Sequence, residues 1–241
     1  MFRFPMQASR RSSATIAIIA AAFFAVAVPA SLSAQLTVAT TKHNFSVLGG
    51  RATVPGGSTV ITGLVDYNEI CVYCHTPHGG SLIAPLWNRA TRVGYTMYTL
   101  ANSATMDMLV SAQPGPVSLA CLSCHDGAVG LDVITNAPNP TAAATTGPTM
   151  AGVFATAPGS FMNLATDLQN DHPIGVTYNP ALDVGSFRTQ AAAVTSGMRF
   201  YGSPVDRVEC ASCHNVHVST NVPFLRIANT GSALCLACHI K

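Results

Sequence analysis

The sequence predicts a chain that is mostly coil with a few short helices, its core supplied largely by something other than its own side chains. Three observations carry that expectation. Glycine and proline, 19 and 15 of 241 residues, interrupt most stretches that would otherwise sustain a helical or alternating apolar pattern. All eight cysteines fall into four copies of one five-residue motif, Cys-x-x-Cys-His. Charged residues make up 9 % of the chain, against roughly a quarter in an average soluble protein.

In chain order the first element is a leader. Arg3, Arg10 and Arg11 precede an uncharged run from Ala14 to Val28, then Pro29 and small residues up to Ala34. This pattern reads as a cleaved signal peptide over residues 1–34, with Ala30 as the alternative cleavage point because Leu32 is large for its place. The apolar run, about 15 residues, is short for a membrane span, and no second long one follows. No membrane attachment is therefore expected after cleavage. Export suits a cysteine-rich chain, because compartments outside the cytoplasm are oxidising. Removing the three leader arginines from the 12 basic residues leaves 9 against 10 acidic ones, so a net charge of +2 becomes −1. Nucleic acid is not an expected partner of such a surface.

The motifs carry the chemistry. They are Cys71, Cys74 and His75; Cys121, Cys124 and His125; Cys210, Cys213 and His214; Cys235, Cys238 and His239. A lone Cys-x-x-Cys pair would also suit a zinc site or a thioredoxin-like redox pair, but neither requires histidine next. With 8 histidines in 241 residues, four chance placements there have a probability on the order of one in a million. The pattern is that of covalent haem c attachment: two thiols add to the vinyl groups of one porphyrin and the histidine becomes the first axial ligand of its iron. Four motifs imply four covalently bound haems. The mature chain offers roughly fifty residues for each, so a chain of four closely packed haems must form most of the core.

Comparison of the motif neighbourhoods reveals a repeat. Cys71 to His78 reads CVYCHTPH and Cys210 to His217 reads CASCHNVH, each with an extra histidine, whereas Cys121 and Cys235 open the shorter CLSCH and CLACH. The alternation suggests one domain over 35–241 built from two haem-pair units, about 35–135 and 161–241. The Ala, Thr, Pro and Gly-rich stretch 136–160 joins them as a loop. Short helices are expected at the motifs and over Thr105 to Ala112, Phe161 to Asn170 and Gln190 to Thr195.

Subtracting the four motif histidines leaves His43, His78, His172 and His217, which matches the number of second axial ligands that four irons require. His78 and His217 stand three residues beyond His75 and His214, side by side on a turn. Neither reaches around the porphyrin its neighbour ligates, so each is expected to serve a different haem. His172 follows Asp171, a carboxylate placed to accept its ring N–H, and precedes Pro173. His43 lies ahead of every motif and either folds back onto its own subunit or reaches the next one. Met97, Met106, Met108, Met150, Met162 and Met198 are rival ligands, better used in core packing because the histidines suffice.

The order CHTPH, PLWN (Pro85 to Asn88), CLSCHDG, DHPIG, CHNVH and a terminal CLACH resembles the outer-surface multihaem cytochromes that polymerise into conductive filaments, of the OmcE and OmcS type. Four haems are similar to the tetrahaem OmcE branch. The resemblance implies bis-histidine haems in a continuous chain, little regular secondary structure, and one histidine donated across the subunit interface, for which His43 is the match here.

The leading expectation is therefore a non-enzymatic electron conductor: secreted subunits at the cell surface, joined head to tail with copies of themselves, fed by upstream redox proteins and emptied by an extracellular acceptor. A soluble periplasmic shuttle is the alternative. Catalysis at iron would need an open axial position, and histidine supply equals demand.

Overall fold

The computed structural model describes residues 38–48, 61–154 and 162–241; the leader predicted over residues 1–34 lies outside them. Regular elements are few and short. Helix α1, Pro116–His125, is followed by a 3-10 turn Pro140–Ala142, helix α2 Met150–Phe154, strand β1 Val176–Thr177 and a 3-10 turn Pro180–Leu182. Helix α3 Gln190–Thr195, strand β2 Arg207–Val208, helix α4 Cys210–Cys213, a 3-10 turn Thr230–Ser232 and helix α5 Ala233–Leu236 complete the chain. Apart from a helical turn at 38–39 and isolated β-bridges, the remaining described chain is turn and coil, as the glycine and proline content predicts.

Local chemistry explains the longer helices. α1 starts with Pro116 at its first position, where a missing N–H costs nothing, and stops at Asp126, whose N–H donates to Leu122. Gly127 then takes φ +77°, a left-handed exit that glycine adopts without penalty. In α3 the Thr189 side chain accepts the Ala192 N–H, a standard N-cap.

Two expected helices are absent. Thr105 to Ala112 runs as an edge beside β1: Ser111 N–H donates to Gly175 O at 2.9 Å and Thr177 N–H to Leu109 O at 2.8 Å. Residues 166–168 pair instead with Thr96, with Leu168 N–H on Thr96 O at 3.0 Å and Thr96 N–H on Thr166 O at 2.8 Å, and 169–170 form a turn; Phe161 lies outside the described residues. In both, pairing with a distant segment outweighs weak helix propensity. Gln190–Thr195 is helical as predicted, whereas the first motif is a single turn.

Side-chain cores are small, and Val110 packs against both the second and the third. One gathers Phe45, Ile61, Tyr67, Tyr73, Leu131 and Met150; a second, Met108, Val176, Tyr178, Met198 and Phe200; a third, Tyr95, Met97, Leu122 and Leu168. Motif cysteines edge onto them: Cys124 packs on the first, Cys213 and Cys238 on the second. Met150, within the stretch read as a joining loop, is buried in the first core. The repeat halves interleave, since α1 packs on α4 and Val110 bridges Val176.

Candidate haem sites

A haem-ligating histidine must be held by one ring nitrogen so that the other is free for metal. Three of the four motif histidines are held in this way. Nδ1 of His75 lies 2.7 Å from the Pro85 carbonyl, Nδ1 of His125 2.7 Å from the Met162 carbonyl, and Nδ1 of His214 3.0 Å from the Pro223 carbonyl. A carbonyl only accepts, so Nδ1 carries the proton and Nε2 keeps a lone pair. The backbone N–H groups of His75, His214 and His239 donate to the first cysteine of their motifs at 2.8, 3.1 and 2.8 Å, so a one-turn frame recurs.

The carbonyls on His75 and His214 come from equivalent arms. After His75 the chain returns as Pro85, Leu86, Trp87 and Asn88; after His214 it returns as Pro223, Phe224, Leu225 and Arg226. Thr76 N–H donates to Leu86 O at 2.8 Å and Asn88 N–H to Cys74 O at 2.8 Å; Asn215 N–H donates to Phe224 O at 2.7 Å and Arg226 N–H to Cys213 O at 2.8 Å. Leu86 and Phe224 even share left-handed backbone, with φ of +53° and +60°. Sequence reasoning used PLWN only for a resemblance; a proline about ten residues past each long-motif histidine was the available signal.

The second histidines meet the first in three pairs. Ring centroids of His75 and His217 are 6.1 Å apart, those of His43 and His125 6.2 Å, and those of His172 and His239 6.4 Å. Two imidazoles bound to opposite faces of one metal, with metal–nitrogen bonds of roughly 2.0 Å, have centroids roughly 6 to 6.5 Å apart. Other histidine–aromatic contacts here are closer: His43 to Phe224 at 4.7 Å, His239 to Phe187 at 4.6 Å and His75 to Trp87 at 5.7 Å. Each His–His pair thus has an aromatic ring beside it. His78 is exposed and has no ring partner among the described residues.

Electrostatics keep several of these rings neutral. Burial, then the nearby His125, His217 and His214, push the His43 pKa down to about 3. Burial leads in lowering His125, where the Met162 bond opposes it, and in lowering His217 beside His75 and His239 beside His172. Neutral imidazole is the ligating form.

These residues fit haem c. All eight cysteines are free thiols, and successive motifs adjoin, since Cys74 lies in the field of Cys124, Cys121 in that of Cys210, and Cys213 in that of Cys238. Two buried polar atoms without a protein partner, His43 Nδ1 and Trp87 Nε1, belong to a histidine of one pair and to the ring beside His75. Among the described residues no group of three or more His, Cys, Asp or Glu side chains gathers as a bare-ion site would.

One expectation changes. Nδ1 of His172 faces the Pro173 carbonyl at 3.0 Å, not Asp171. His43, for which the sequence leaves its own subunit and a neighbouring one both open, stands against His125 of its own chain, and the adjoining Asn44 and Phe45 are buried.

A family profile for the doubled CXXCH motif matches residues 203–241, the third and fourth motifs. No curated protein matches the chain. The doubled motif is a haem c-binding element, so the match supports a multihaem c-type cytochrome kind with covalently bound haem c, of the sort that works in electron transfer.

Proposed function

We propose that this chain carries four bis-histidine haems and conducts electrons without catalysing a reaction of its own. The observation that carries the reading is the set of three motif-to-distal histidine separations, 6.1 to 6.4 Å. On this reading His75 and His217 hold the first iron, His125 and His43 the second, and His239 and His172 the fourth. His214 and His78 remain for the third. The repeat supports that assignment: His217 crosses from the third motif to the first, and His78 holds the equivalent place for the return crossing. Cys71, Cys74, Cys121, Cys124, Cys210, Cys213, Cys235 and Cys238 supply the thioether bonds.

Haem c supplies one-electron iron(III)/iron(II) chemistry. The protein supplies the rest. With haem bound, two histidines per iron would exclude small molecules from it, the carbonyls of Pro85, Met162 and Pro223 fix ring tautomer and direction, and His78 and His217 would tie the first and third haems to one pair of turns. A pyridine haemochrome assay with electron paramagnetic resonance tests this. The expected result is four haems per chain, all low-spin; a native five-coordinate, high-spin haem would defeat it.

The same reading extends to assembly of exported copies into an extracellular filament that passes electrons from upstream redox proteins to an outside acceptor. Low charge density, exposed Leu82, Val93, Val184 and Val222 and the family resemblance support it. A self-contained periplasmic shuttle is the second reading, favoured by the placement of His43 on its own chain's His125. Electron microscopy of native material separates them: filaments support the first, discrete monomers the second.

A further inference from the structure

Arg89 is a buried charge to which the haem-binding reading gives no role. It is 1 % exposed, and its guanidinium donates to backbone carbonyls alone. Nε and Nη2 reach Ser123 O at 3.3 and 3.0 Å, Nη2 also reaches Gly130 O at 2.6 Å, and Nη1 reaches Leu131 O at 2.8 Å. Among the described residues no carboxylate stands within 4 Å of it; nearby Asp126 instead pairs with half-exposed Arg92 at 3.6 Å. The carboxylate of Asp132 accepts the Val65 N–H at 2.6 Å.

Position gives this charge a meaning. Ser123 lies inside the second haem motif, and the residue before Arg89, Asn88, donates its N–H to Cys74 of the first motif at 2.8 Å. The cation therefore sits at the junction of two motifs, and its field acts on both Cys74 and Cys124, outweighing that of Asp126 at Cys124. A neutral donor could tie the same carbonyls, whereas an ion buried without a counter-ion gives up its hydration with no opposite charge to replace it. Screening by solvent, which weakens Arg92, does not reach Arg89.

We propose that Arg89 sets reduction potential: its fixed, desolvated positive charge favours the electron on the haems of the first and second motifs, raising their potentials. The inference rests on the haem assignment above. The step is one electron per haem, from a redox partner to iron(III) giving iron(II), with no bond made or broken.

The test is an optical redox titration of purified holoprotein, after a haem count. Fewer than four haems would defeat the assignment itself; four haems with potentials indifferent to Arg89 would defeat this inference alone. R89Q is expected to shift two of the four midpoint potentials downward and leave two in place. R89K retains a charge that burial makes easier to remove, so its potentials should match wild type near pH 6 and fall away by about pH 11, past the ordinary lysine value of about 10.4. Wild type measured over the same range provides the baseline. If R89Q does not fold, the R89K titration decides. Potentials equal to wild type in every folded variant at every pH, with only thermal stability changed, would reduce Arg89 to a structural tie.

Discussion

At the scale of the residue, ligand identity and buried charge make separate predictions. His217 faces His75 from the opposite end of the chain, so H217M should leave haem attachment intact and raise the potential of one haem, since methionine ligation favours iron(II). H217A should convert one haem in four to high spin. Unchanged spectra and potentials in both would remove His217 from the coordination sphere. Glu209 predicts a pH dependence. Its carboxylate is buried, accepting the Gly115 N–H at 3.3 Å and the Ser118 hydroxyl. Burial pushes its pKa above the ordinary 4.5, and the Ser118 and Gly115 bonds and the charge of Arg207 only partly offset this. The folded state then holds a proton that the unfolded state has released, so stability falls as pH rises from the ordinary carboxylate value through the raised one. E209Q, which cannot ionise, lacks that loss. Its melting temperature relative to wild type should therefore climb as pH rises above the ordinary carboxylate value; a constant difference would show that Glu209 does not titrate there.

At the scale of the element, the short helices and turns matter for what they hold in place. Gly127 closes α1 with φ +77°, and a Cβ there would collide with the Asn163 side chain. Asn163 follows Met162, whose carbonyl fixes His125. G127A should therefore cost about 1–3 kcal/mol through the left-handed conformation alone and loosen the second haem's ligand, read as a lower melting temperature with a perturbed spectrum at one haem. A normal spectrum at lowered stability would separate the two effects. Motif turns and α3 were legible in the sequence because their signals are local: Cys-x-x-Cys-His in one turn, Thr189 before an alanine run. Segments 105–112 and 163–170 were misread because their backbone partners, Gly175 and Thr96, are far along the chain. The pairing of distal histidines was illegible for the same reason, since nothing near His217 names His75. The return arms were half legible, as a repeated proline whose use only the fold displays.

At the scale of the whole molecule, surface composition makes the remaining prediction. Three small side-chain cores leave Leu82 fully exposed and Val222, Val184 and Val93 more than 80 % exposed, while only 9 % of residues are charged. Association of copies through such a surface is driven by apolar burial, which added salt does not screen, rather than by ion pairs, which it does. If His43 serves the haem of its own chain's His125, as proposed above, a filament would not need a shared ligand, and its contacts would come from this surface instead. Native protein should therefore sediment as large assemblies at both low and high ionic strength. L82D adds a charge where the side chain packs on nothing, so it should leave haem count and low-spin spectrum unchanged while shifting material toward single subunits. Assemblies that dissolve in salt would assign the contact to charges. Assemblies indifferent to L82D would move it off the Leu82 loop, and a wild-type monomer in both conditions would make the periplasmic shuttle the correct reading.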